Sequence, residues 1–363
     1  MGRVLASPVR SQTDVPAFDN AAMDGFAVSA TVVAQLTYGP VDIRVVSEVP
    51  AGAEPPYEPA GFDAHQTMTG GPVHPRTAAV IPVERSSGYG SPGSMVRLDG
   101  QRVTATNIRR QGEDVKAGQQ LLAGGTLMTP AKLAALSAAG HARAQVIGKL
   151  RTVVVASGNE LVPASSLRRP GQTYESNAGM IAGLLTDSGC QVRAVEIVGD
   201  DVQDFRATCR RYIEGTDLFV TIGGISAGTR EVVRQSLSEG VFQHIAMRPG
   251  AAQGFGHFGD RPVICLPGNP VSAFVSFVVL VEESLRARHG LAGRQRTFVR
   301  LMEDAPVESH RDVLLLGRKT PQGRIEALGQ GRSASINALA GADHLVKVPA
   351  GHFGRSGFEA YRL

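Results

Sequence analysis

Leu218-Phe219-Val220-Thr221-Ile222-Gly223-Gly224-Ile225-Ser226-Ala227-Gly228-Thr229-Arg230-Glu231 is the stretch that decides the fold. Residues 218–222 form a short apolar run with β-branched members, the signature of a strand buried on both faces. Gly223 and Gly224 end it, and a helix is expected from near Arg230 to Gly240. Strand, glycine-rich turn and helix together make an anion site, because no Cβ blocks the backbone and the helix N-terminus offers free N–H groups. The same pattern also serves as a plain connection. A second turn, Ile264-Cys265-Leu266-Pro267-Gly268-Asn269-Pro270, repeats it, with Asn269 placed to cap a helix and Pro270 at the first helical position. Two such turns in one α/β unit face the same sheet edge, where doubly wound folds bind ligands.

Working outward, strands are expected at 153–155, 192–198, 242–247 and 262–266, with helices from Ser176 to Gly189, from 202 to Gly215 and from 270 to about 289. That alternation predicts a doubly wound, largely parallel sheet over about residues 151–290. Polar residues gather where these strands end: Ser157, Asn159 and Glu160, then Asp200 and Asp201, then Ser226 and Glu231, then Asn269 and Ser272. Each by itself reads as a helix cap, Asp200 above all. Together they suit a phosphorylated substrate held by backbone amides, with a divalent cation on the carboxylates.

On the N-terminal side, residues 30–108 are rich in Pro, Gly, Val and Thr and show no sustained helical period. Strands at 41–46, 78–83 and 95–98, with another at 103–106, predict a small β domain. Asp19, Asn20 and Asp24 cluster among small residues as a polar turn or a site. Residues 68–74 contain Thr69 in a Gly-Gly-Pro turn that can meet an anion. Arg109 and Arg110 stand beside Glu113 and Asp114, as a surface ion-pair cluster or as a phosphate clamp with a metal carboxylate. Thr129-Pro130 opens a helix that Gly140 closes. Beyond 291 the alternation is lost, and strands at 297–301, 312–316, 324–328 and 345–348 predict a small antiparallel barrel or sandwich.

The 363 residues allow two or three domains, and the net charge of +4, with Arg far outnumbering Lys, suits small anions. The bias is too diffuse to argue for nucleic acid, and with no Trp and few aromatics a platform for stacking single-strand bases is not expected. Cys190, Cys209 and Cys265 are scattered and read as reduced core thiols of a cytoplasmic protein. No signal peptide and no membrane span is evident, residues 271–281 being too short. The histidines lack zinc-ligand spacing.

In order along nearly the whole chain stand FDNAAMDGFAV (18–28), MTGGPV (68–73), NIRRQGED (107–114), IGGISAG (222–228) and LPGNPVS (266–272). The set resembles the molybdopterin molybdenumtransferases, the MoeA family. The sheet motifs also occur in the related molybdopterin adenylyltransferases; the first segment, the β insertion and the C-terminal barrel belong to the insertase type. The resemblance implies a multidomain α/β chain. It has a connecting domain (1–14 with 110–150), a β-rich domain (15–109), a molybdopterin-binding sheet domain (151–290) and a C-terminal β-barrel (291–363). It implies insertion of molybdate into adenylylated molybdopterin with Mg2+ and release of AMP. It also implies a homodimer with its site between subunits, and a transient contact with the adenylyltransferase. The family's first few dozen residues, including a helix that packs on the sheet domain, are expected to be absent.

The resemblance further implies that Asp24, Thr69, Arg109 and Asp114 face the sheet site. Glu160, Asp200 and Glu231 would lie near metal and substrate, with Asp200 and Glu231 as metal ligands. Gly223, Gly224, Ser226, Pro267, Asn269 and Ser272 would shape the cofactor pocket. Arg248 takes the place of a usual lysine. Three departures stand out: Asn159 where the family has Asp, Glu231 where it has Asp, and Ala251 where it has a second lysine. They leave open a binding or scaffold protein with weakened turnover. Without the resemblance, a phosphosugar or nucleotide enzyme on a doubly wound sheet also fits, and such an enzyme needs neither Asp24 nor Arg109.

Overall fold

The computed structural model describes residues 2–225, 231–305, 308, 310–329, 334–352 and 356–363. They form two compact units, residues 1–146 and 147–363.

In the second unit, a six-stranded sheet runs in the order Gln191–Val198, Arg151–Ser157, Leu218–Ile222, Arg261–Leu266, Ala252–Phe258, Ser238–His244. The first four strands pair in parallel, and the last two pairings are antiparallel, so only Ala252–Phe258 runs against the rest. Side chains alternate along the anchor strands, as the two-residue period of a strand requires. Val154, Ala156, Val220 and Ile222 meet the helix Asn177–Asp187 on one face, while Val153, Val155 and Phe219 meet Phe205 and Cys209 of Val202–Tyr212 on the other. From Arg151–Ser157 the chain moves to Gln191–Val198 on one side, then crosses to Leu218–Ile222 on the other. The strand order therefore reverses between Ser157 and Gly223, which is where an open α/β sheet forms its crevice.

Two expectations need correction here. The helix after the glycine turn is Val232–Ser236 and does not run to Gly240. Residues 238–244, partly assigned to that helix, form an edge strand instead of the strand expected at 242–247. Its partner, Ala252–Phe258, was not anticipated. Gly254 and Gly256 dilute its apolar signal; a Cβ on Gly254 would meet the Phe242 ring at 2.5 Å, so cross-strand packing selected glycine there. The long helix is present, as Pro270–Ser276, a π-helical turn Phe277–Val281, and Glu282–Arg288.

The anchor strand begins at an ion pair. Asp217 accepts hydrogen bonds from Arg151 N, Nε and Nη2 at 2.8, 3.0 and 2.8 Å. The guanidinium holds the Asp217 carboxyl at about 2. A carboxylate whose folded value lies below its unfolded one stabilises the fold above about pH 4, and that contribution disappears as pH falls toward 2. Denaturant titration from pH 5 to 2 is expected to show an acid loss on the order of 1–2 kcal/mol that Asp217→Asn lacks.

A second sheet in this unit runs Met247–Arg248, Asp312–Lys319, His344–Val348, Ser356–Arg362, Arg296–Arg300, with Ile325–Ala327 on the Asp312–Lys319 strand. One face, through Leu314, Leu316 and Leu345, packs on Val271, Phe274 and Val278 of the long helix. The other encloses Val313, Leu315, Val346, Phe358 and Ala360.

In the first unit a five-stranded sheet runs Ala79–Pro82, Gly25–Val28, Asp63–Thr67, Val41–Val49, Met95–Leu98. Residues 103–106, expected as a strand, carry no ladder, and the short helix Ala30–Gln35, capped by Ser29, was not expected. Leu5 packs with Met128 and Leu136, and Val9–Arg10 pairs with Gln120–Leu122.

Candidate active site

At the sheet crevice the two glycine turns touch. Gly223 N–H donates to Leu266 O at 3.0 Å, and a Cβ on Gly268 would stand 3.5 Å from Gly223 Cα. Gly223 and Gly224 have φ of +86° and +64°, values only glycine adopts without strain. A Cβ on Gly223 would also sit 2.8 Å from Ser157 O, and one on Gly224 would sit 2.9 Å from Ser157 Oγ and Val233 Cγ2. Both glycines are therefore required by the turn itself. Ser226 lies outside the described residues. Glu231 occupies the cap position of Val232–Ser236, but its side chain caps no helix N–H.

The first strand ends in a small polar lock. Asp200 N–H donates to Asn159 Oδ1 at 3.0 Å, and Asn159 N–H donates to Asp200 Oδ2 at 3.2 Å. An amide at 159 can pair this way beside Asp200 without setting two carboxylates together. Asp200 is not the helix cap it was expected to be; Asp201 accepts from Gln203 N and Asp204 N instead, at 2.8 and 2.9 Å. The Asp200 carboxylate thus keeps acceptor capacity.

Beside this lock opens a cavity of about 620 Å³. Of the expected residues, Glu160 and Asn269 line it, while Pro267 and the buried Ser272 do not. Asn269 stands at the N-cap of Pro270–Ser276, yet its side chain makes no cap bond and is not consumed by the helix as anticipated. Ser176 likewise caps nothing; Glu175 accepts from Asn177 N and Ala178 N, both at 2.7 Å. Asn177 then donates to Gly268 O at 2.6 Å and ties the helix to the second glycine turn.

Sequence reading missed Arg168, Tyr174 and Asn177 in this wall. The usable signal was loop length: residues 158–176 join a strand to a helix, far beyond the usual 2–6 residues, and carry Arg168-Arg169. The loop is braced by pairing of Leu161–Val162 with Thr173–Tyr174.

Arg248 lies on the strand Met247–Arg248 and donates to Glu308 at 2.5 Å. Glu308 also pairs with Arg311, and the two guanidinium groups hold its carboxyl below the usual range. The trio of two cations and one anion keeps a net positive charge.

In the first unit Asp24 and Thr69 come together. Asp24 Oδ1 accepts from Thr69 N at 2.6 Å and Thr69 Oγ1 at 2.8 Å. These donors, the amide first, hold the Asp24 carboxyl below its ordinary value. Arg109 extends from the strand Ile108–Arg109 into solvent and has no side-chain partner among the described residues. Arg110 binds Asp19 at 2.6 Å, and neither Glu113 nor Asp114 pairs with an arginine side chain among the described residues. Glu113 instead accepts from Arg110 N–H at 2.8 Å. Asp114 is exposed, with its N–H on Val15 O.

Two family models match. Residues 1–140 fit the MoeA N-terminal region (domain I and II), and residues 153–287 fit the probable molybdopterin binding domain. Molybdopterin molybdenumtransferase 2 of Mycobacterium tuberculosis (strain ATCC 25618 / H37Rv) is 37% identical over 361 residues, 96% of this chain and 88% of the relative. The chain belongs to the MoeA family. A second MoeA relative, the molybdopterin molybdenumtransferase of Synechococcus elongatus, is 31% identical over 96% of this chain and 88% of its own length. Two structures of the molybdopterin biosynthesis MoeA protein from Pyrococcus horikoshii superpose with TM-scores of 0.82 and 0.75 at 26% and 25% identity. They cover 100% and 99% of this chain and 92% of each of theirs. The α/β fold with mixed sheets is thus a MoeA fold; the sheet crevice and most of the cavity lining fall inside the molybdopterin-binding match, while Ala334 and Ile336 of the lining lie beyond it.

Proposed function

We propose that this chain inserts molybdate into adenylylated molybdopterin and releases AMP. The observation that carries the reading is the cavity beside the switch point, whose lining residues Glu160, Arg168, Asn177 and Asn269 all belong to the molybdopterin-binding match. The side-chain amides of Asn177 and Asn269 and the turn at Gly268 suit a pterin and its phosphate, and Arg168 is added to the binding set for an anionic tail. Gly223, Gly224, Pro267 and Ser272 lie outside the cavity lining and in this reading act by shaping the turns and helix start beside it; Ser226 is kept in the cofactor-binding set.

Among the described residues no group of three or more His, Cys, Asp or Glu side chains could hold a metal. Mg2+ needs no such group when substrate phosphates and water complete its shell. Asp200, with one N–H on its carboxylate, and Glu231 are the ligands we assign, with Glu160 close to the substrate. When bound, the ion offsets phosphate charge as the anions meet. Asp24, Thr69, Arg109 and Asp114 complete the site across a homodimer, and the adenylyltransferase is the transient partner that hands over the adenylate. Packing of Leu5 with Met128 and Leu136 supports a connecting domain of 1–14 with 110–150, next to 15–109, 151–290 and a barrel at 291–363. The interior around Leu315 and Phe358 supports that barrel. Buried Cys190, Cys209 and Cys265, their thiols pushed up to about 11, 12 and 12 by burial, suit a reducing cytoplasm. No described helix is long and apolar enough to cross a membrane.

The test is AMP release by purified protein given adenylylated molybdopterin, Mg2+ and molybdate; stoichiometric binding without turnover would favour the scaffold reading, to which Asn159 and Ala251 lend weight. Arg248→Ala is expected to raise the molybdate concentration for half-maximal rate, because the Arg248–Glu308–Arg311 trio then loses its net charge. Ala251→Lys should lower it, and both shifts should shrink as salt rises. An unchanged molybdate dependence in Arg248→Ala would move the anion site to Arg109.

A further inference from the structure

A second cavity, of about 420 Å³, opens at the other end of the same sheet. It lies against the hairpin where Phe258 turns through Gly259 into Arg261–Leu266, the edge at which the parallel strands start. Strands of this length place it roughly 15–20 Å from the glycine turns. Its wall consists of Arg206, Arg210, Ile213, Ser236, Leu237, His257, Phe258 and Gly259. Among the described residues no carboxylate lines it.

Arg206 and Arg210 stand one helical turn apart on Val202–Tyr212, so both guanidinium groups project on one side of the helix. Like charges at this spacing repel each other, although Arg210 in the last turn also meets the negative end of the helix dipole. Arg206 is oriented by a 2.9 Å bond from Nη2 to Gln235 O, which leaves its other donors available. Arg210 has no side-chain partner among the described residues. The nearest carboxylate in the hairpin, Asp260, is engaged by Arg261 at 3.2 Å. Ile213, the C-cap residue of the same helix, joins Leu237 and the buried Phe258 in the apolar part of the lining.

We propose that this cavity binds a phosphomonoester carried on a flat apolar body, with the phosphate between Arg206 and Arg210 and the body against Ile213, Leu237 and Phe258. Two forked guanidinium groups match phosphate oxygens with paired donors. A cavity of this size is too large for inorganic phosphate alone and fits a small aromatic ester. The site is independent of the proposed reaction, whose cavity shares no residue with it.

Phenyl phosphate and inorganic phosphate are the probes, titrated calorimetrically into the full chain at low salt. Phenyl phosphate should bind more tightly than inorganic phosphate. Arg206→Gln with Arg210→Gln should weaken it at least tenfold while leaving the melting temperature close to the parent, since neither side chain is in the core. Arg168→Gln, in the other cavity, should leave the affinity unchanged. Absence of binding at 10 mM phenyl phosphate, indifference to the double substitution, or loss of binding in Arg168→Gln would each overturn the assignment.

Discussion

Replacing Glu282 by Ala is expected to cost the 147–363 unit about 3–5 kcal/mol, the range for stranding one partner of a buried ion pair. Glu282 is 1% exposed, where the long helix leaves its π-helical turn. Its carboxylate accepts from Arg294 Nε and Nη2 at 2.7 and 2.8 Å, and Arg286 lies 3.6 Å away. Arg294 continues to Arg362 O at 3.1 Å, and Arg286 to Asp187 O at 3.2 Å. One buried carboxylate therefore organises two arginines that reach the C-terminal strand and the end of the helix Asn177–Asp187. Its removal leaves those cations with little water to solvate them. Calorimetric melting should show the loss in one unit's transition while the other holds. Glu282→Met combined with Arg294→Met should recover most of it, because removing both charges removes the penalty. If the single variant melts like the parent, the network adds nothing.

Asp24→Asn is expected to lower kcat roughly 10²-fold, on the scale of losing one positioned charge or proton acceptor. The amide oxygen can accept the same two bonds from Thr69, so geometry persists while the charge goes. KM for the adenylate should move only a few-fold. Thr69→Val removes one of the donors that lower the Asp24 pKa, so the acidic limb of the pH–rate profile should shift to higher pH. A parental kcat in Asp24→Asn would reduce this carboxylate to a turn-former and leave the 1–146 unit without a demonstrated part in turnover.

The residue pattern alone determined the parallel part of the sheet and the edge where its glycine turns lie. Buried parallel strands are continuous apolar runs, and Leu218–Ile222 and Arg151–Ser157 announce themselves that way. Glycine at 223 and 224 is a local backbone requirement and was legible for the same reason. What depends on partners distant in the chain was not. In Ala252–Phe258, one strand in from the sheet edge, Gly254 is explained only by the Phe242 ring of the facing edge strand Ser238–His244. Asp200 and Asp201 both precede a helix in sequence; which one caps and which meets Asn159 was decided by the neighbouring strand 41 residues away. Arg248 reads as a free cation until Glu308, 60 residues on, is folded beside it. Local propensity is a property of a few adjacent residues, whereas the ionic and hydrogen-bonding state of a side chain belongs to whatever the tertiary fold brings within 3 Å of it.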